Sequence, residues 1–248
     1  MKKYAIAMFV ALSLLGCDTS KDAPSTPLPD FAAITDVQTK KSAFFDYFSP
    51  LVASENQRVS AERDKLVPMA EKYAQQGRLS RKEFSFVAEM AEKYQLPFAD
   101  NLDDAWFEEM LLRVDTIPAP LVLVQAAKES GWGTSRFAKE GFNYFGQWCY
   151  KQGCGLVPSA RSAGASHEVA VFASPADSVS AYFLNLNRNR AYKELRDIRA
   201  TLDPSTDTVT QSKQLTLGLQ RYSERGMAYV NDIQAMLRQN KRFFANEF

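Results

Sequence analysis

Histidine is nearly absent from this sequence: His167 is the single one among 248 residues, and only three cysteines accompany it. The clustered imidazole and thiolate ligands of a zinc or iron–sulfur centre therefore cannot be assembled, and no metal or other cofactor is expected. No apolar run reaches the roughly 20 residues that cross a bilayer, so no transmembrane helix is expected either. Neither sign of charge dominates, because 30 basic residues face 29 acidic ones for a formal charge of +1. Without a long block of one sign, a dedicated nucleic-acid binder is excluded. A glycine-rich phosphate loop of the required spacing is also missing. What is present is 46% hydrophobic and 24% charged, enough for one substantial core or one core plus a helical extension. Carboxylates, hydroxyls and amides must carry any chemistry.

Lys2 and Lys3 precede an apolar stretch from Tyr4 to Leu15, the length of a signal-peptide core. Leu14-Leu15-Gly16-Cys17 then resembles the lipobox of bacterial lipoproteins, which implies acylation of Cys17 and a new N-terminus there. An ordinary secretory signal cleaved nearby is the alternative. Asp18, directly after that cysteine, resembles the signal that retains lipoproteins in the inner membrane of enteric bacteria. The expected location is thus periplasmic, with the membrane reached through the N-terminal lipid. Residues 18–30 hold three prolines and little apolar bulk, so they read as a semi-extended tether reaching about 40 Å.

From Val37 the pattern turns helical, with Phe44, Phe48 and Leu51 on one stripe. Pro50 is expected to open a second helix running to Gly77, a natural C-terminal stop. Ser80 with Glu83 forms a capping-box pattern before the face of Phe84, Val87, Met90, Ala91 and Tyr94. A fourth helix is expected near Asp103, burying Trp106, Met110 and Val114. Residues 31–115 thus read as a helical N-terminal extension without catalytic signature, and 116–248 as the catalytic domain. Within the latter, Pro120 to Gly131 predicts a buried helix. Glu168 to Phe172 suggests a small hairpin, and helices follow over 176–198, 208–222 and 227–243. The fold class is mainly α with a small β lobe.

Glu129 falls at the end of the buried helix, with Val122, Gln125 and Ala126 on its own face. The negative pole of the helix and apolar surroundings both favour the protonated acid. A raised carboxyl is what glycosidic hydrolysis needs, since the leaving alkoxide must be protonated as the bond breaks. From position alone, an exposed end-of-helix glutamate is an equally open reading.

Gln125-Ala-Ala-Lys-Glu129-Ser-Gly-Trp132-Gly and then Asn143-Tyr144-Phe145-Gly146 resemble the signature of glucosaminidase domains, the glycoside hydrolase family 73 class of peptidoglycan hydrolases. The likeness continues more weakly in Arg221-Tyr222-Ser223 and Tyr229, and covers roughly residues 116–240. The N-terminal extension, Gly146-Gln147-Trp148-Cys149 and Cys154 resemble the Bax-type branch. The resemblance implies a lysozyme-like α+β fold and cleavage of the β-1,4 bond after N-acetylglucosamine, with Glu129 as general acid and peptidoglycan glycan strands as partner. Gln125, Trp132, Asn143, Tyr144, Phe145 and Tyr229 become candidates for substrate binding. Packing of Trp132 and Phe145 in the core, and loop-holding by Asn143, stand beside that reading.

Glu168 is the candidate for the second catalytic group, because the family commonly draws a glutamate from its β lobe; Glu140 and Asp177 compete. The 2-acetamido group of the substrate could replace it, with Tyr222 orienting that group or the water. Cys149 and Cys154, in an exported chain, read as a disulfide closing a short loop. A lytic transglycosylase and a catalytically silent wall-binding protein are the rival functions.

Overall fold

A computed structural model describes residues 27–98, 102–158 and 167–244; the lipobox, Cys17 included, lies outside them. The first helix among the described residues is the 40-residue α1 (Val37–Gln76), whose N-cap Asp36 accepts the Thr39 backbone N–H at 2.8 Å. The expected break at Pro50 does not occur, since both Pro50 and Pro68 lie inside this helix. Each proline is exposed. The carbonyls they leave unpaired, four residues earlier at Asp46 and Asp64, belong to exposed residues open to water. An interior proline costs roughly 3 kcal/mol. On the opposite face Phe44, Phe45, Phe48, Leu51, Val52, Val59 and Leu66 are buried, each contributing about 1.5–3 kcal/mol. Burial therefore carries the helix through both prolines.

Next comes α2 (Arg81–Lys93), opened by the expected Ser80–Glu83 capping box. In α3 (Asp104–Arg113), capped by Asp103, the buried residues are Phe107 and Met110. Trp106 is only half-buried, with its indole N–H on the Pro97 carbonyl at 2.8 Å. The apolar helix is α4 (Ala119–Ser130), ending at Gly131 in the left-handed conformation. After the short α5 (Arg136–Gly141) come β1 (Trp148–Cys149), β2 (Gly155–Leu156) and β3 (Glu168–Ala170). They make a three-stranded antiparallel sheet in the order β1-β3-β2, with Trp148 and Leu156 both opposite Val169. The β element is thus one strand richer than a hairpin.

The C-terminal helices are shorter than the periodicity suggests. Residues 176–198 divide into α6 (Pro175–Arg188) and α7 (Lys193–Ala200), because Asn189 turns extended and caps a tight turn by accepting the Ala191 N–H. Similarly α8 (Thr208–Leu215) tightens into a 3-10 turn, where Gly218 sits on the α7 backbone: a Cβ there would lie 2.3 Å from the Leu195 Cα. The last helix is α9 (Met227–Gln239). Among the described residues, α1–α3 and α4–α9 contribute to one apolar core. The segment 31–115 therefore shares that core with the rest of the chain: the rings of Phe44 and Phe48 of α1 lie 6.4 and 4.6 Å from the Tyr144 ring. Among the described residues no helix is long and apolar enough to cross a membrane.

Candidate active site

Glu129 sits in the last turn of α4, one residue before the fully buried Ser130. The Ser130 hydroxyl donates to the Ala126 carbonyl at 2.6 Å and accepts the Gly133 N–H at 2.8 Å, knitting the turn that follows. Gly131, Trp132 and Gly133 then run consecutively through the left-handed region, at φ of 57, 58 and 76°. At Gly133 a Cβ would lie 2.3 Å from the Phe31 ring, so glycine is required by space as well as conformation. Trp132 tolerates its backbone because its indole is wedged edge-on against Phe44 and Phe45, at 5.7 and 5.3 Å, under the Lys41 ammonium. That packing, and not an open ring face, is what Trp132 offers.

The Glu129 carboxyl is half-buried, and its Oε1 is enclosed without a hydrogen-bond partner among the described residues. Burial pushes its pKa above the ordinary 4.5, opposed by a hydrogen bond from Tyr229 and by the Lys128 charge. Lys128 is drawn aside, 3.0 Å from Asp232 of α9, which Arg225 also pairs. The Tyr229 bond ends a chain of three. Tyr182 of α6 donates to the Gln125 side-chain oxygen. The Gln125 amide donates to the Tyr229 hydroxyl at 2.9 Å. The Tyr229 hydroxyl acts in turn on the Glu129 carboxyl, opposing the rise in its pKa. Each member of such a chain polarises the next. Gln125 and Tyr229, both candidates for substrate binding, are buried with Tyr182 and bonded to each other.

Opposite the carboxyl lies Gly146, exposed and at φ 66°; a Cβ there would be 3.6 Å from Glu129 Oε2. The bare glycine keeps space open beside the acid. The loop that delivers it is held by Asn143, as one of the two readings of that residue has it. Its amide donates to the Gln147 and Ala170 carbonyls, and its Oδ1 accepts the Phe145 and Gln147 N–H groups. Tyr144 and Phe145, expected to stack on pyranose rings, are each 1% exposed. Phe145 instead stacks on Tyr182 at 4.2 Å, so both aromatics belong to the core. Tyr222 donates its hydroxyl to the Phe145 carbonyl at 2.8 Å and stacks on Tyr229 at 5.5 Å. It ties the glycine loop to the relay.

Glu168 lies on β3 and is 6% exposed. One carboxylate oxygen accepts the Gly153 N–H at 3.0 Å, the other the Gly155 N–H at 2.8 Å. Cys149 and Cys154 form the expected disulfide across this loop, with Cα atoms 6.2 Å apart. Glu168 thus acts on the loop backbone. Asp177 accepts the Ser174 hydroxyl at the start of α6, at 2.8 Å. A cavity of about 710 Å³ opens near Asn56, Thr116, Pro118 and Leu202. It lies at the start of α4, and the ten helical residues to Glu129 span about 15 Å, so it is not where the acid acts. No local signal marks Tyr182, which falls in the apolar stripe of α6 with Val179, Phe183 and Leu186. Glu55 is likewise unforeseen, buried in the core of α1 against Arg58 and Ser180.

Residues 105–242 match the family described as Glucosaminidase, mannosyl-glycoprotein endo-beta-N-acetylglucosaminidase. Over 223 residues the chain is 34% identical to Protein bax of Escherichia coli (strain K12), covering 90% of this chain and 78% of that protein. No solved structure matches it.

Proposed function

The chain belongs to the glucosaminidase family, and from that premise we propose that it is an exported peptidoglycan hydrolase. It cleaves the β-1,4 bond after N-acetylglucosamine, with Glu129 as general acid. The observation that carries this reading is the enclosed, unpartnered Glu129 Oε1 at the end of the Tyr182–Gln125–Tyr229 chain, beside the bare Gly146. Burial raises the pKa of the carboxyl and so favours the protonated acid, and the tyrosine hydroxyl favours the anion left after proton transfer.

In this mechanism Glu129 gives its proton to the glycosidic oxygen as the C1–O bond breaks. With Glu168 engaged by loop amides, the carbonyl oxygen of the substrate's own 2-acetamido group attacks C1 and forms a cyclic oxazolinium. Water then opens that ring at C1, losing its proton to the Glu129 carboxylate, and the acetamido group is restored. The same engagement of Glu168 also suits a lytic transglycosylase, which uses one carboxyl and leaves anhydromuramyl ends. The chain ends released tell the two apart.

The resemblance of Leu14 to Cys17 to a lipobox supports a periplasmic enzyme acylated at Cys17 and held at the inner membrane, with residues 18–30 as its tether. Glu129→Gln tests the site: the amide is nearly isosteric but donates no proton to the leaving oxygen. Turnover of purified sacculi should fall by roughly 100-fold or more. Near-wild-type turnover by the folded variant would remove Glu129 from the mechanism, and inactivity of the unaltered chain would favour a silent wall-binding role.

A further inference from the structure

Large aromatic side chains are seldom left in water without use, and the β lobe exposes two within three residues. Trp148 is 53% exposed and Tyr150 74% exposed. Trp148 lies on the edge strand β1, on the same sheet face as its buried cross-strand partner Val169. The imidazole of His167, two residues before Val169, lies parallel to the indole at 4.1 Å and 13°. One indole face is therefore covered and fixed, while the high exposure leaves the other in solvent.

The backbone presenting these rings is held twice over. The disulfide Cys149–Cys154 closes the loop that carries Tyr150, and the Glu168 carboxylate accepts two of the loop's N–H groups, from Gly153 and Gly155. A rigid presentation lowers the ordering cost of binding, because the rings need not be immobilised when a ligand arrives.

Its position selects the ligand. Gly146 faces the Glu129 carboxyl, and two peptide units carry the chain from there to Trp148, no more than about 7 Å. A glycan lying across Glu129 covers that span with its neighbouring sugars. The axial C–H faces of pyranose rings are apolar and flat, matched to an open indole face.

We propose that Trp148, backed by His167 and accompanied by Tyr150, forms a carbohydrate platform on the β lobe that binds sugar units beyond those at Glu129. This rests on the glycan-cleaving reading above and extends it: the enzyme prefers strands several sugars long to short fragments. The open indole face takes the apolar side of one pyranose, and the Tyr150 ring flanks the next.

The test uses the full mature chain carrying Glu129→Gln, so that ligand is bound but not cut. Calorimetric titration with an octasaccharide of alternating N-acetylglucosamine and N-acetylmuramic acid is compared with its disaccharide. Adding Trp148→Ala should weaken octasaccharide binding by about 3- to 10-fold, the worth of one aromatic contact, and Trp148→Phe should recover part of it. Disaccharide affinity should change far less. Saturating octasaccharide should also shift the tryptophan emission of the chain that retains Trp148 by more than that of Trp148→Phe, in which Trp132 and Trp106 remain. Unchanged octasaccharide affinity in a folded Trp148→Ala chain overturns the platform, as does an emission shift of the same size in Trp148→Phe. If Trp148→Ala does not fold, the emission experiment and Tyr150→Ala decide in the same way. Binding of the octasaccharide without any dependence on Trp148 or Tyr150 removes the platform alone. Failure of the Glu129→Gln chain to bind either oligosaccharide, together with an unaltered chain that leaves sacculi intact, removes the glycan reading as well.

Discussion

Glu129 should be a liability to the fold that it serves. Its Oε1 is enclosed and unpartnered, and burial raises its pKa above 4.5 against the Tyr229 hydrogen bond and the Lys128 charge. A buried polar atom left unpaired costs about 1–3 kcal/mol, and more when charged. Glu129→Gln keeps the shape and an oxygen for Tyr229 but carries no charge. It should therefore stabilise the folded chain by about 1 kcal/mol at pH 8, raising Tm by about 2–4 °C for a chain of this size. The pH dependence has a definite sign. Because the folded carboxyl holds its proton more tightly than the unfolded one, its favourable contribution is complete below 4.5. That contribution is lost as pH rises through the raised value. The advantage of the glutamine variant should accordingly be near zero at pH 4, grow above it and then level off. Thermal unfolding followed by circular dichroism at pH 4 and pH 8 measures this. A variant less stable than the parent at pH 8, or a gain of equal size at both pH values, would refute the reasoning.

Other sites give further expectations. Gly146→Ala sets a methyl 3.6 Å from Glu129 Oε2, at φ 66°, so it should cost about 1 kcal/mol of stability and a larger share of turnover, read by unfolding and sacculus digestion. Glu168→Ala leaves the Gly153 and Gly155 N–H groups unanswered and should lower stability by about 1–3 kcal/mol. With substrate assistance, its turnover per folded molecule should fall by less than the roughly 100-fold of a lost catalytic base; a larger loss in a folded chain would return Glu168 to the chemistry. Cys17→Ala should abolish membrane attachment of the mature chain or leave an uncleaved precursor, which mass spectrometry of the N-terminus resolves.

How far the sequence was legible depended on which interactions are local. Helix ends written in short motifs were readable: the Ser80–Glu83 capping box, the Asp103 cap and the Gly131 stop all stand where expected. Pro50 misled, because a local rule cannot weigh an exposed proline against seven buried apolar side chains on the opposite face of α1. Glu129 could be found from its place at the end of an apolar helix together with the glucosaminidase signature. What surrounds it could not. Gln125 shares the face of Glu129 by helical spacing, but whether it meets sugar or Tyr229 depends on α9, over a hundred residues away. Tyr144 and Phe145 carry rings suited to sugars, and only packing against Phe48 and Tyr182 reveals them as core. Glu168 was drawn to the site by analogy, whereas its burial against two loop amides depends on how the three strands pair.

The central claim is that Glu129 donates the proton that breaks the bond after N-acetylglucosamine in peptidoglycan. Mass spectrometry of purified sacculi digested by the mature chain, beside a digest by Glu129→Gln, addresses it most directly. The account predicts fragments ending in reducing N-acetylglucosamine from the unaltered chain and intact sacculi from the variant. Anhydromuramyl ends, reducing N-acetylmuramic acid ends, or equal digestion by the variant would contradict it.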